Sequence, residues 1–185
     1  MRNKIQIIGG KYRSRKIAFP DNPELRPTPN RVRETLFNWL TPFIANARCL
    51  DLFAGSGVLG FEALSRGALS CTFVEKDRKT LATLRDNTKL LNVDSIEIIE
   101  SEALAWLEKT KNTYDIVFLD PPYHAKLLPT CFTRLVECRC LLEGALIYFE
   151  SDESVMPGVI PKVWQLLREK KAGQVYYYLA KHITS

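Results

Sequence analysis

Two short stretches of this 185-residue chain hold residues whose types and spacing could do chemistry. The first is Asp51-Leu52-Phe53-Ala54-Gly55-Ser56-Gly57-Val58-Leu59-Gly60, which follows an apolar run and opens a helical one. Gly55-x-Gly57-x-x-Gly60 matches the spacing that cradles an adenosine-containing cofactor. Glycines let the backbone approach a ligand closely, and a helix N-terminus presents free N–H groups. Glu75 ends the next apolar run, where an acid can accept both hydroxyls of a ribose. A bare strand–helix turn would explain the glycines but not Glu75 in register. The loop alone admits two cofactors. A nicotinamide dinucleotide brings a pyrophosphate, whereas S-adenosylmethionine brings a charged amino acid and a sulfonium. Asp51 lies inside the strand, two residues before an aromatic and four before the first glycine, and suits the cationic ligand better.

The second stretch is Asp120-Pro121-Pro122-Tyr123, after the apolar run Ile116-Val117-Phe118-Leu119. In an open α/β sheet, ligands bind beyond the carboxyl ends of the strands near the topological switch point. This turn is therefore expected beside the glycine loop. Its chemistry suits methylation of an exocyclic amine on a base, a nitrogen whose lone pair is delocalised into the ring. Asp120 and the Pro121 carbonyl can accept hydrogen bonds from the NH2 group and favour its pyramidal form. The two prolines stiffen the loop, and Tyr123 offers a face for stacking the base. His124 is read as a loop residue.

These residues need elements to position them. From Cys49 onward strands and helices alternate. Strands are expected at 48–53, 71–75, 96–100, 115–119 and 145–149, with helices near 57–66, 77–91, 102–109 and 126–141. Such alternation implies right-handed crossovers and a mostly parallel sheet. Gly173 and the β-rich Val175-Tyr176-Tyr177-Tyr178-Leu179 favour a closing antiparallel hairpin over 163–182. Ahead of this core, 4–19 reads as strand and turn, and four prolines over 20–29 form a connector. A helix follows, with Thr28 as N-cap, Pro29 at its first position, and Val32, Leu36, Trp39/Leu40 and Phe43 as its buried face. Arg31, Arg33 and Glu34 are expected to project elsewhere.

Composition sets the outer bounds. Apolar residues make up 46% of the chain and charged residues 25%, as in ordinary globular domains, which excludes disorder, collagen and coiled coil. No run approaches the ~18–20 apolar residues of a membrane helix. The N-terminus has basic residues but no apolar h-region, so no signal peptide is expected. Five scattered cysteines point to reduced thiols and a cytoplasmic protein. Cys138-x-Cys140 lacks a second pair, so no metal site is expected. The net charge of +5 is uneven: residues 1–40 hold nine basic and three acidic residues, and the other 145 hold 17 and 18. A +6 arm on a −1 body implies a polyanionic partner.

The motifs resemble a known family. Asp51–Gly57, Glu75 and Asp120–Tyr123 are similar to the class I S-adenosylmethionine-dependent methyltransferases that modify exocyclic amines. Ile7-Ile8-Gly9-Gly10-Lys11-Tyr12-Arg13-Ser14-Arg15-Lys16 and Arg26-Pro27-Thr28-Pro29-Asn30-Arg31-Val32-Arg33-Glu34-Thr35-Leu36-Phe37-Asn38 resemble the RsmD family, bacterial 16S ribosomal RNA guanine-N2 methyltransferases. The resemblance covers nearly the whole chain. It implies methylation of a guanine N2, at position 966 in the family's usual target, in an assembled or nearly assembled small ribosomal subunit. It implies S-adenosylmethionine as cofactor and S-adenosylhomocysteine as product. Asp51, Phe53, Ala54, Gly55, Ser56 and Gly57 would hold the methionine end. Glu75 with Lys76 would take the ribose, and Glu102-Ala103 the adenine. Asp120, Pro121, Pro122 and Tyr123 would handle the base. Lys11, Arg13, Arg15, Lys16, Arg31 and Arg33 would meet RNA. Tyr12, Ser14, Asn30 and Glu102 stand where the family usually has Trp, Gly, Asp and Asp.

The expected fold is α/β. It is a Rossmann-like class I methyltransferase fold with a mostly parallel seven-stranded sheet, an antiparallel C-terminal hairpin and a short basic N-terminal extension. Residues 1–40 are read as an RNA-docking extension and 41–185 as the methyltransferase domain of a monomer. Three rivals are a DNA adenine-N6 methyltransferase, a nicotinamide oxidoreductase and a non-catalytic RNA-binding module. The first usually needs a target-recognition domain, the second gives Asp120–Tyr123 no role, and the third leaves a cofactor loop unexplained.

Overall fold

The structure is a computed structural model and describes residues 3–21, 28–122 and 126–183. Tyr123 and His124, and the prolines at 23 and 27, lie outside the described residues.

The chain opens with an antiparallel pair, β1 (Asn3–Gln6) and β2 (Lys16–Phe19). Next comes helix α1 (Asn30–Leu40), and then the alternating core. That core runs β3 (Arg48–Asp51), α2 (Val58–Ser65), β4 (Ser70–Glu75), α3 (Arg78–Leu91), β5 (Ile96–Glu100), α4 (Ala103–Leu107), β6 (Tyr114–Leu119), α5 (Leu128–Glu137) and β7 (Leu141–Ser151). A 3-10 turn at Pro157–Val159 leads into β8 (Trp164–Ala172) and β9 (Val175–His182).

Seven strands form one sheet in the order β5-β4-β3-β6-β7-β9-β8. The first five run parallel, while β9 pairs antiparallel with both β7 and β8. The expected architecture is therefore the observed one, with the last strand inserted inside the edge strand β8. The order reverses between β3 and β6, so the switch point lies at the carboxyl ends of these two strands.

Both faces of the sheet are covered, as a parallel sheet requires. Cys49, Ile116, Phe118 and Tyr148 point to the face packed by Val32, Leu36, Phe37 and Leu40 of α1 and by α2 and α3. Leu50, Val117, Ile147 and Phe149 point to the other, against Phe132 and Leu135 of α5. Ile7, Tyr12 and Ile17 join the same buried cluster as α1 and β3.

Three details differ from the expectation. Pro29, not Thr28, is the residue before α1, and it makes no side-chain cap. Thr28 is instead 3% exposed and donates its hydroxyl to Glu150. Phe43 is 51% exposed, because α1 ends at Leu40 and the turn hands the buried position to Ile44. Arg33 is fully buried. Its guanidinium donates to Glu62 of α2 at 3.4 Å and to the Gln6 carbonyl at 2.9 Å.

Candidate active site at the carboxyl edge of the sheet

The glycine loop leaves β3 at Asp51 and enters α2 at Val58. Gly57 precedes the helix with φ +74°, the left-handed region open to glycine, and a Cβ there would meet Leu84 and Phe61. At Gly60 a Cβ would run into the Phe73 ring and the Cys71 sulfur. This glycine lets α2 lie close on β4.

Asp51 is 3% exposed, and its carboxylate accepts from the Gly60 N–H at 3.2 Å. Burial pushes its pKa up to about 8; the Gly60 bond opposes this and the Glu75 charge adds to it. A buried acid of this kind fits a cationic amino group. Glu75, at the end of β4, accepts from the Gly55, Lys76 and Asp77 N–H groups, each at 2.9 Å. It ties the glycine loop to the exit of β4. The Ser101 N–H donates to the Glu75 carbonyl at 3.1 Å, bringing the exit of β5 alongside. Glu102 caps α4 by accepting from the Leu104 N–H at 3.0 Å, and Ala103 is buried beneath it. The predicted cofactor residues on three strands thus gather on one edge.

The acceptor turn joins them through the ladder. Asp51 pairs in register with Phe118, and Phe118 with Tyr148, so Asp120 follows two residues beyond a direct neighbour of Asp51. Asp120 is half-buried, Pro121 is buried, and Pro122 is half-buried. Burial, the Glu150 charge and the Asp51 charge together hold the Asp120 carboxyl well above the usual carboxylate range, against the bond from Thr28. Two acids, Asp51 and Glu150, therefore both act on Asp120 at the switch point.

Sequence reasoning missed Glu150. It follows the apolar run Ala145–Phe149 just as Asp120 follows Ile116–Leu119, so an acid closing a buried strand was the available signal. It also missed Glu62, which accepts from the Ile8 N–H at 2.9 Å and the Gly9 N–H at 2.8 Å and pairs with Arg66 at 2.8 Å.

Among the expected RNA contacts, Lys11, Arg13, Lys16 and Arg31 are exposed. Arg15 is exposed too, but its guanidinium donates to the Leu90 and Leu91 carbonyls at the end of α3. Arg33 is a correction: fully buried against Glu62, it offers no surface to a phosphate.

Residues 5–181 match the family described as Conserved hypothetical protein 95. Over 177 residues the chain is 48% identical to Ribosomal RNA small subunit methyltransferase D of Escherichia coli strain K12, covering 95% of this chain and 89% of that protein. The chain belongs to the ribosomal RNA small subunit methyltransferase D family. The solved structure of yhhF from Escherichia coli superposes with a TM-score of 0.92 at 44% identity, covering 99% of this chain and all of that one. The solved structure of SMU.776 complexed with SAH has a TM-score of 0.75 at 16% identity, over 97% of this chain and 56% of that one. That distant likeness concerns the fold alone. The glycine loop and the proline turn of this chain are the two stretches that meet at the switch point. No group of His, Cys, Asp and Glu among the described residues could hold a metal ion, and no described helix is long and apolar enough to cross a membrane.

Proposed function

We propose that this chain transfers a methyl group from S-adenosylmethionine to the exocyclic N2 of a guanine in 16S ribosomal RNA. The observation that carries the reading is the meeting of Asp51 and Asp120 at the switch point, one suited to a cation and the other to an amine. Asp51 and the backbone of Phe53–Gly57 would hold the amino-acid end of the cofactor. Glu75 and Lys76 would take the ribose, and Glu102 and Ala103 would flank the adenine. The donor set fits: Asp51 is a buried carboxyl whose pKa of about 8 marks the want of a positive partner. When bound, the cofactor supplies an electrophilic methyl group.

The rest is done by the chain. Asp120 accepts a hydrogen bond from the target amine. A protonated carboxyl still accepts through its carbonyl oxygen, so the raised pKa is compatible with this task. The Pro121 carbonyl accepts a second bond and fixes the direction of the nitrogen lone pair. The amine becomes acidic once methylated, so its proton can leave to water and no strong base is needed. Positioning carries most of the rate. The base must first be unstacked, and Tyr123 is assigned to stack on it.

The RNA docks on residues 1–40 through Lys11, Arg13, Lys16 and Arg31, with Arg15 divided between phosphate and the end of α3. The protein acts in the cytoplasm on the small subunit and works as a monomer. Calorimetry with S-adenosylmethionine and with NADH tests the cofactor: micromolar binding of the first alone is expected. Mapping N2-methylguanine in 16S RNA from cells lacking the protein tests the substrate. One methylated guanine should be missing, and an unchanged pattern refutes the ribosomal assignment.

A further inference from the structure

Glu150 ends the apolar run of β7 and is 2% exposed. Across the sheet Leu119 pairs with Phe149, so the next position on each strand sets Asp120 beside Glu150. Two hydroxyls converge on one Glu150 oxygen. Tyr148 donates to Oε1 at 2.7 Å, and Thr28 donates to the same atom at 3.0 Å. The same hydroxyl is near enough to the Asp120 carboxyl to lower its pKa. A single buried hydroxyl, from the residues just ahead of α1, therefore holds Glu150 and acts on Asp120.

This arrangement is costly for a strand that needs only another apolar residue there. Burying a carboxyl is unfavourable unless hydrogen bonds satisfy it, and a second acid alongside adds repulsion. In return, a carboxyl whose Oε1 takes two hydroxyls is restrained in its orientation, and the Thr28 hydroxyl it holds is fixed beside Asp120. On the methyl-transfer reading above, we propose that Glu150 is a positioning residue: with Thr28 and Tyr148 it aims Asp120 at the target amine and locks the acceptor turn to the segment entering α1.

The link has an electrostatic side. Among the described residues, the charged groups acting on Asp120 are Glu150 from β7 and Asp51 from β3, both raising its pKa, while Thr28 lowers it. Glu150→Gln keeps an oxygen for both hydroxyls and removes the charge. The limb of the kcat profile governed by Asp120 then moves to lower pH, whichever of its protonation states is active.

The test uses single-turnover methyl transfer to small subunits between pH 6 and 9, with cofactor affinity measured for each variant. Thr28→Val should lower kcat about tenfold or more. KM for the subunit and Kd for S-adenosylmethionine should stay within about twofold, and Thr28→Ser should restore most of the rate. Glu150→Gln should shift the pH limb downward. A folded, cofactor-binding Thr28→Val with unchanged kcat overturns the proposal, as does a Glu150→Gln profile superposable on wild type. If Glu150→Gln does not fold, the Thr28 pair decides alone. Wild-type protein that methylates no ribosomal guanine would refute the underlying reading and this inference with it, a result visible before any variant is made.

Discussion

The Arg33 guanidinium lies 3.4 Å from the Glu62 carboxylate, and both side chains are fully buried. Glu62 also receives the Ile8 and Gly9 N–H groups and the Arg66 side chain. One carboxylate on α2 therefore fastens three separate segments: the turn after β1, helix α1 and the end of α2 itself. The glycine loop begins α2, so the same carboxylate connects the N-terminal segment to the candidate cofactor site.

Arg33→Ala removes the counter-charge of a buried acid. Stability should fall by about 3 kcal/mol, because an uncompensated buried charge is costly and Arg66 offsets only part of it. Denaturant unfolding measures this. RNA affinity of the folded fraction should be unchanged, which separates a packing role from a phosphate contact.

Asp51 sets a pH dependence for cofactor binding. Its pKa in the folded protein, about 8, lies above its ordinary 3.8. The folded protein thus holds a proton that the unfolded chain has lost across this window. The corresponding stability is present at low pH and is lost as pH rises through about 8. A cation bound at Asp51 needs the ionised form, so affinity for S-adenosylmethionine should rise between pH 6 and 7.5, by up to about tenfold per unit. Calorimetry across that range should show the slope in wild type, and a weaker, flat response in Asp51→Asn.

The basic surface should act through phosphates. Lys11→Glu, Arg13→Glu and Lys16→Glu together should weaken RNA binding and lower the slope of log affinity against log salt by about 0.7–0.9 per lost contact. Filter binding at several salt concentrations reads this. Affinity for S-adenosylmethionine should not change, because none of the three touches the glycine loop.

What was legible in the sequence followed from locality. The glycine loop, the acid Glu75 at the end of β4 and the Asp120 turn each lie within a few residues, and strand–helix alternation fixes their common edge. Tertiary pairings were not legible. Arg33 sits among charged residues on a helix whose hydrophobic spacing suggests a solvent face for it, and its partner Glu62 is 29 residues away. Thr28 carries the local signature of a helix cap, yet Glu150, 122 residues away, takes its hydroxyl. Phe43 continued a helical spacing that the backbone ended at Leu40. Only the register of β6 against β7 shows that Glu150 belongs with Asp120.

On the proposed function, Asp120 holds an amine of ribosomal RNA against a methyl donor bound near Asp51. This is tested most directly by incubating wild type, Asp120→Ala and Asp120→Asn with S-adenosylmethionine and small subunits from cells lacking the protein, then mapping methylated guanines. Wild type should methylate one guanine at N2. Asp120→Ala should lose about 100-fold or more in rate with cofactor affinity intact, and Asp120→Asn, which keeps a carbonyl acceptor, should lose less. Full activity in Asp120→Ala, or no N2-methylguanine from wild type, would contradict the account.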